Sequence, residues 1–73
     1  MAEQPNQMQK LIAIATDLEL SAELRIKAIE LLGNMGTHQA LTSLLDLAAN
    51  EQLIAEERQL ALKYAQEIIK SGH

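Results

Sequence analysis

Two glycines spaced three residues apart, in Gly33-Asn34-Met35-Gly36, have a pattern that can serve ligand chemistry. Glycine-rich turns can cradle phosphate with their backbone N–H groups, and GxxG loops clamp the backbone of nucleic acids. Both uses need flanking strands, or a lysine and a hydroxyl residue in place, and this loop has neither. The pattern therefore predicts a corner between two helices, in which Gly33 is the left-handed residue that ends a helix and Gly36 admits a tight turn.

Arg25 and Arg58 are suited to binding a carboxylate or a phosphate, because a guanidinium donates two parallel hydrogen bonds. Both arginines lie close to an apolar helical stripe, which favours a structural role over ligand binding. The expected partners are acidic groups near helix ends, namely Asp17, Glu19 and Asp46. The remaining carboxylates are expected on solvated helix faces; they are Glu30, Glu51, Glu56, Glu57 and Glu67.

The histidines and serines offer little for catalysis. His38 and His73 are the only histidines, and no set of His or carboxylate residues has the fixed spacing of metal ligands. No Ser-His-Asp set and no evident carboxylate pair indicates an enzyme. Ser43 invites comparison with the acyl carrier proteins, which attach phosphopantetheine within Asp-Ser-Leu, but Thr42 replaces the Asp and Ser43 lies inside a predicted helix. We therefore expect no catalytic residue, no metal and no cofactor.

Composition narrows the class of partner. The 73 residues carry a net charge of −4, and the lysines and arginines are scattered singly, so the basic stripe of a nucleic-acid binder is missing. Tyr64 is the only aromatic residue, which removes base-stacking platforms. No apolar run approaches the ~20 residues of a membrane span. The chain has no cysteine, and its polar beginning differs from a signal peptide, so a cytoplasmic protein is expected.

Hydrophobic residues recur with helical spacing along the whole chain, which predicts an all-α protein of four helices. Ser21 is a good N-cap for the second helix and Thr37 for the third. Gly72 is expected to stop the fourth helix. The expected helices begin at Asn6 or Pro5, after Ser21, after Thr37 and at Leu53 or Ile54, and they end before Asp17, at Leu32, before Asn50 and at Lys70.

The chain also repeats itself. A shift of 33 positions aligns the first predicted helix pair with the second and gives seven identities without a gap. A helix–turn–helix unit of about 33 residues is typical of α-solenoids. The identical pairs are Leu11/Leu44, Ala15/Ala48, Leu20/Leu53, Ala22/Ala55, Glu23/Glu56, Arg25/Arg58 and Ala28/Ala61.

Residues 23–45 follow the pattern E-L-R-x-K-A-x-x-L-L-G-x-x-G-x-x-x-A-L-x-x-L-L. This pattern resembles the short HEAT-like repeat of phycobilin-lyase-type proteins. The resemblance implies a single domain, 1–73, made of two HEAT-like helix hairpins (repeat 1 about 6–36, repeat 2 about 37–72). These four helices would form a minimal right-handed α-solenoid, or α-α superhelix.

The second repeat departs from the pattern at two places. Glu57 stands where an apolar residue is expected, and Gln66 replaces the glycine that ends the helix, so the last helix continues. The second and fourth helices are each expected to be apolar toward the other repeat and polar on the far side. This arrangement predicts a complete pair of repeats whose outer faces are polar.

The expected function is binding of another protein, as a non-catalytic scaffold or adaptor. Tyr64 is either an interface anchor or, as we favour, a core residue at the position of Leu31. Because two repeats bury little surface, a homodimer is a further expectation. Two alternatives stay open: an enzyme accessory subunit or bilin-lyase-like factor, implied by the resemblance, and a four-helix bundle that forms a homo-oligomer. The candidate binding face consists of Arg25, Lys27, Glu30, Arg58, Lys63, Tyr64 and Glu67; the structural set consists of Gly33, Gly36, Ser21 and Thr37.

Overall fold

The computed structural model of the protein describes residues 6–71, with no account of the Asn6 side chain. This part of the chain contains four α-helices packed together and no strand, as the hydrophobic spacing predicts. Gly72, His73 and Pro5, for which helix-end roles or a metal-ligand role were considered, lie outside the described residues. The helices are α1 (Asn6–Thr16), α2 (Ala22–Met35), α3 (His38–Ala48) and α4 (Ala55–Lys70).

Side chains cap the starts of α2 and α3, as their residue types predict. The Ser21 hydroxyl accepts a hydrogen bond from the Leu24 backbone N–H at 3.3 Å. The Thr37 hydroxyl accepts from the Ala40 backbone N–H at 3.0 Å. Each bond satisfies one of the N–H groups that a helix start leaves without a partner. The N-cap of α4 is Ile54, whose side chain has no acceptor, so this helix begins without such a bond.

The end of α2 differs from the prediction. The helix continues through Gly33 to Met35, and Gly36 is the residue in the left-handed conformation, with φ 64°. The left-handed residue is needed where the chain turns into the Thr37 cap, three positions later than predicted. Gly33 has a different structural role, which is to leave space for Tyr64, because a Cβ at this position would collide with the Tyr64 side chain. The first glycine thus permits close packing of α2 and α4, and the second permits the turn.

The loops within the two helix pairs have matching backbone hydrogen bonds. In the first loop, Asp17 N–H donates to Ile14 O at 3.2 Å and Leu20 N–H donates to Asp17 O at 3.0 Å. The Asp17 side chain also accepts from the Glu19 N–H at 3.0 Å. Bonds at positions shifted by 33 recur in the second loop, from Asn50 N–H to Leu47 O, from Leu53 N–H to Asn50 O, and from Gln52 N–H to the Asn50 side chain. The sequence repeat therefore corresponds to the same local turn.

The helices pack most extensively within the pairs α1/α2 and α3/α4, and the two pairs meet mainly through α2 and α4. We call this α2/α4 contact the junction. Five alanines with almost no exposed surface lie in the core, which lets helix backbones approach closely. The buried hydrophobic residues are Ala15, Ala28, Ile29, Leu32, Ala40, Leu44, Leu47, Leu53, Ala61, Ala65 and Ile68.

Within residues 6–71, none of the helices combines the length and the hydropathy that crossing a membrane requires.

Candidate functional site

The junction contains a buried ion pair. The Arg25 Nε donates to the Glu57 Oε2 at 2.6 Å, and the Glu57 side chain has 0% of its surface exposed. Two further polar atoms of the pair also have hydrogen-bond partners. Arg25 Nη1 donates to the backbone carbonyl of Leu20 at 2.6 Å, and Glu57 Oε1 accepts from the Ile54 N–H at 3.3 Å. The pair thus connects α2, the loop before it and the start of α4.

The partner of Arg25 differs from the sequence-based expectation. Asp17 contributes only its backbone carbonyl, at 3.5 Å from Nη1, and the carboxylate on Arg25 is that of Glu57. The prediction that Glu57 lies on a solvated face is wrong. Glu57 lies at i, i+7 and i+11 with Tyr64 and Ile68, so it belongs to the face of α4 that packs on α2. A charged group is stable there because Arg25 neutralises it and every acceptor has a donor.

Arg58, the repeat counterpart of Arg25, has a different environment. Its Nε is buried and donates to no acceptor in the part of the chain that the structure describes. The side chain lines a surface pocket of about 250 Å³, in which it is the only charged residue. We call this the Arg58 pocket; its lining is Ala48, Ala55, Arg58, Gln59 and Leu62.

Three of the residues that line the Arg58 pocket have a buried counterpart 33 positions earlier, namely Ala15, Arg25 and Ile29. Ile29 of α2 is 0% exposed, whereas its counterpart Leu62 is 44% exposed. Ala15 is buried, whereas its counterpart Ala48 is only partly so. The surface with which the α1/α2 pair contacts the α3/α4 pair therefore has an equivalent on the α3/α4 pair, where it forms a pocket open to solvent.

The opposite end of the molecule shows the reverse pattern. Leu24, the counterpart of Glu57, is 50% exposed, and so is Leu31, the counterpart of Tyr64. Met35 shares their side of α2, because spacings of seven and four residues return to the same helix face. We call Leu24, Leu31 and Met35 the α2 outer face. The expectation that the outer faces of the protein are polar is wrong here, since this face is apolar.

The seven residues of the predicted binding face do not lie on one surface. Arg25 is buried in the junction, and Tyr64 is half-buried against Gly33 and the core. Glu30 and Lys63 line one shallow pocket of about 400 Å³ beside the junction, whereas Arg58 lines its own. The exposed residues of the set are Lys27, Lys63 and Glu67.

The histidine and serine candidates line a pocket that shares no residue with the Arg58 pocket. His38 and Ser43 line a surface pocket of about 410 Å³ between α1 and α3, together with Met8, Ile12 and Thr42. The Thr42 hydroxyl donates to the His38 backbone carbonyl at 3.2 Å. Among residues 6–71 no group of three His, Cys, Asp or Glu side chains is close enough to hold a metal ion.

Glu57 and the α2 outer face are the features that sequence reasoning missed. A signal for Glu57 was present, since an acid on an otherwise apolar ridge of α4 faces the helix that carries Arg25. The exposure of the α2 outer face has no such signal, because Leu24 and Leu31 have the same residue type and spacing as core positions.

No protein-family model matches the chain, and no curated protein and no solved structure matches it at a significant level.

Proposed function

We propose that the protein is a non-catalytic protein-interaction module, of scaffold or adaptor type, in which two HEAT-like helix hairpins stack as a minimal right-handed α-solenoid. The matched loops and the 33-residue correspondence support this stacking. In this proposed arrangement the two helix pairs are related by displacement along one direction. It is supported by the face that α4 turns toward α2, which is the repeat counterpart of the α2 outer face. Such a relation leaves two unlike ends free to bind.

The observation that carries the proposal is the α2 outer face. Leu24, Leu31 and Met35 form an exposed apolar stripe beside the exposed polar residues Lys27 and Asn34. Their counterparts Glu57, Tyr64 and Ile68 belong to the face of α4 that packs on α2. Contiguous exposed apolar residues with a polar rim are a common mark of protein-binding sites. The stripe therefore occupies the repeat positions with which α4 covers α2, but here these positions are apolar and exposed to solvent.

Affinity capture with the immobilised full-length chain tests the proposal. A L24Q/L31Q variant should lose a protein that the wild type retains in stoichiometric amount, while L18Q should retain it. Leu18 is a matched control because it is 51% exposed but lies in the loop after α1. Retention of the same proteins by all three chains, or of none by the wild type, would contradict the proposal.

Sedimentation of the same variants separates a foreign partner from a second copy. A homodimer that uses the α2 outer face should dissociate in L24Q/L31Q and persist in L18Q. If the wild-type chain is monomeric at micromolar concentration, the partner that binds the α2 outer face is a different protein.

A further inference from the structure

The environment of Arg58 indicates a second binding site. A buried N–H donor without an acceptor costs about 1–3 kcal/mol, which an incoming acceptor can recover. The other residues that line the Arg58 pocket are uncharged, so no carboxylate of this pocket competes for the guanidinium. The chemistry of this pocket is therefore that of a single cation in a mostly apolar setting.

The junction shows which group suits such a pocket. At the junction, α4 covers the equivalent surface of the α1/α2 pair. Glu57 lies in the first turn of α4 and accepts a hydrogen bond from Arg25. Apolar residues follow Glu57 on the same face, and Tyr64 packs against Gly33. The junction thus shows how a helix with a carboxylate in its first turn binds Arg25, the repeat counterpart of Arg58.

We propose that the Arg58 pocket binds a helix of another protein that carries a carboxylate in its first turn and apolar residues at the following turns of the same face. The carboxylate accepts from the Arg58 guanidinium, and the apolar residues cover Leu62, Ala48 and Ala55. This site deepens the proposed protein-binding function and rests on it. It is distinct from the α2 outer face, which lies at the other end of the molecule.

A second copy of this chain is a poor occupant of the pocket. A copy stacked in the register of the junction would bring Leu24 to Arg58, in the place that Glu57 takes at Arg25. The arginine would then be buried against an apolar side chain, which is unfavourable for an unpaired charge. Gln66 also stands where Gly33 permits close approach at the junction. Both differences favour a partner of different sequence.

A synthetic peptide with the sequence of residues 53–70 is a suitable probe, because this segment already binds the equivalent surface at the junction. Its Tyr64 would meet Gln66 of the intact chain, so the probe carries Tyr64→Ala. Binding to the full-length chain is followed by methyl chemical shifts of isotopically labelled protein, which detect weak complexes. We expect shifts at Ala48, Ala55 and Leu62.

Arginine and carboxylate variants then test the pairing. Arg58→Gln in the chain, or Glu57→Gln in the peptide, should each weaken binding by about tenfold or more, and the two together should weaken it little further. Lys63→Gln in the chain is the matched control, since Lys63 is an exposed cation of α4 outside this pocket. It should change the affinity by less than about twofold.

Three results would overturn the inference. The first is an affinity that Arg58→Gln leaves unchanged. The second is a shift pattern at Ala15 and Ile29, which would mean that the peptide displaces the α4 helix of the chain itself. The third is a wild-type dimer that Arg58→Gln dissociates. If the peptide does not bind the Arg58 pocket but a partner is still captured through the α2 outer face, this inference fails and the proposed function stands. If neither binding is seen, both fail.

Discussion

Arg25 and Arg58 occupy the same position of the repeat, yet their surroundings differ. Arg25 lies under the second helix pair, where Glu57 and a backbone carbonyl accept its hydrogen bonds. Arg58 lines a pocket open to solvent and has a buried Nε with no acceptor among residues 6–71. The repeat therefore determines the helix face on which a side chain lies. The neighbouring helix pair determines whether the polar atoms of that side chain have hydrogen-bond partners.

The same difference applies to the residues around the arginines. Ile29 is covered while Leu62 is open, and Gly33 admits Tyr64 while Gln66 is exposed. The first pair thus has the side chains of an internal surface, with a glycine for close approach. The second pair keeps the arginine and the apolar side chains but not the glycine, so its surface does not allow a helix to approach as closely as α4 approaches α2.

The largest effect is expected from removing the Glu57 carboxylate, which pairs with Arg25. Glu57→Ala leaves Arg25 buried without a counter-charge, so we expect the free energy of unfolding to fall by about 3–5 kcal/mol. Urea denaturation followed by far-ultraviolet circular dichroism measures this loss. For a domain of this size such a loss approaches the whole stability.

Two variants check that the loss comes from the broken pair. Glu56→Ala removes an adjacent, exposed carboxylate and should change the unfolding free energy by less than about 0.5 kcal/mol. R25M/E57L replaces both charges with apolar groups and should be near or above wild-type stability. A double variant as unstable as Glu57→Ala would show that the charges themselves are required.

Gly33→Ala should have the next largest effect. The added methyl collides with the Tyr64 ring and lies 2.9 Å from its Cβ, so α2 and α4 must separate. We expect a net loss of about 1–3 kcal/mol, even though alanine favours a helix more than glycine does. Thermal and urea unfolding of the variant measure it.

The counterpart position supplies the control for this substitution. Gln66→Ala, at an exposed site of α4, should change stability by less than about 0.5 kcal/mol. In a Tyr64→Gly background both the ring and the Cβ that meet the added methyl are gone, so Gly33→Ala should become stabilising, by up to about 1 kcal/mol. A loss of the same size in both backgrounds would rule out Tyr64 as the cause.

The helix starts give a smaller contrast between the pairs. Ser21→Ala removes the cap of α2 and should cost about 1 kcal/mol. Ile54→Ser gives α4 the hydroxyl that its start lacks and, with Glu57 already bonded to the Ile54 N–H, completes a capping box. We expect this variant to gain about 0.5 kcal/mol in the free energy of unfolding. Equal losses in both variants would contradict the assignment of the caps.

The all-α fold and the starts of the helices were predictable because the signals are local. Apolar spacing predicts a helix without knowledge of its neighbours, and Ser21 and Thr37 form their bonds within one turn. The end of α2 was not predictable from local signals. Gly33 and Gly36 both fit a helix end, and the choice depends on Tyr64, which is distant in sequence and adjacent in space.

The candidate site was less predictable than the fold. Glutamate is common on solvated helix faces, and the position of Glu57 on an apolar ridge was the one sequence signal that it is buried. Only the packing of α4 on α2 shows that its partner is Arg25. Leu24 and Leu31 have core-like spacing, but the surface that would bury them is absent from the described part of the chain. Local pattern fixes the face of a helix on which a residue lies, and only tertiary packing tells whether that face is covered.

The most direct test of this account is urea denaturation of Arg25→Gln and Arg58→Gln under identical conditions. Arg25→Gln leaves Glu57 buried without a cation, and we predict a loss of about 3–5 kcal/mol in the free energy of unfolding. Arg58→Gln removes a buried Nε that has no acceptor, so stability should stay the same or rise, by at most about 1–3 kcal/mol. Similar losses in the two variants, or a larger loss for Arg58→Gln, would contradict the central claim.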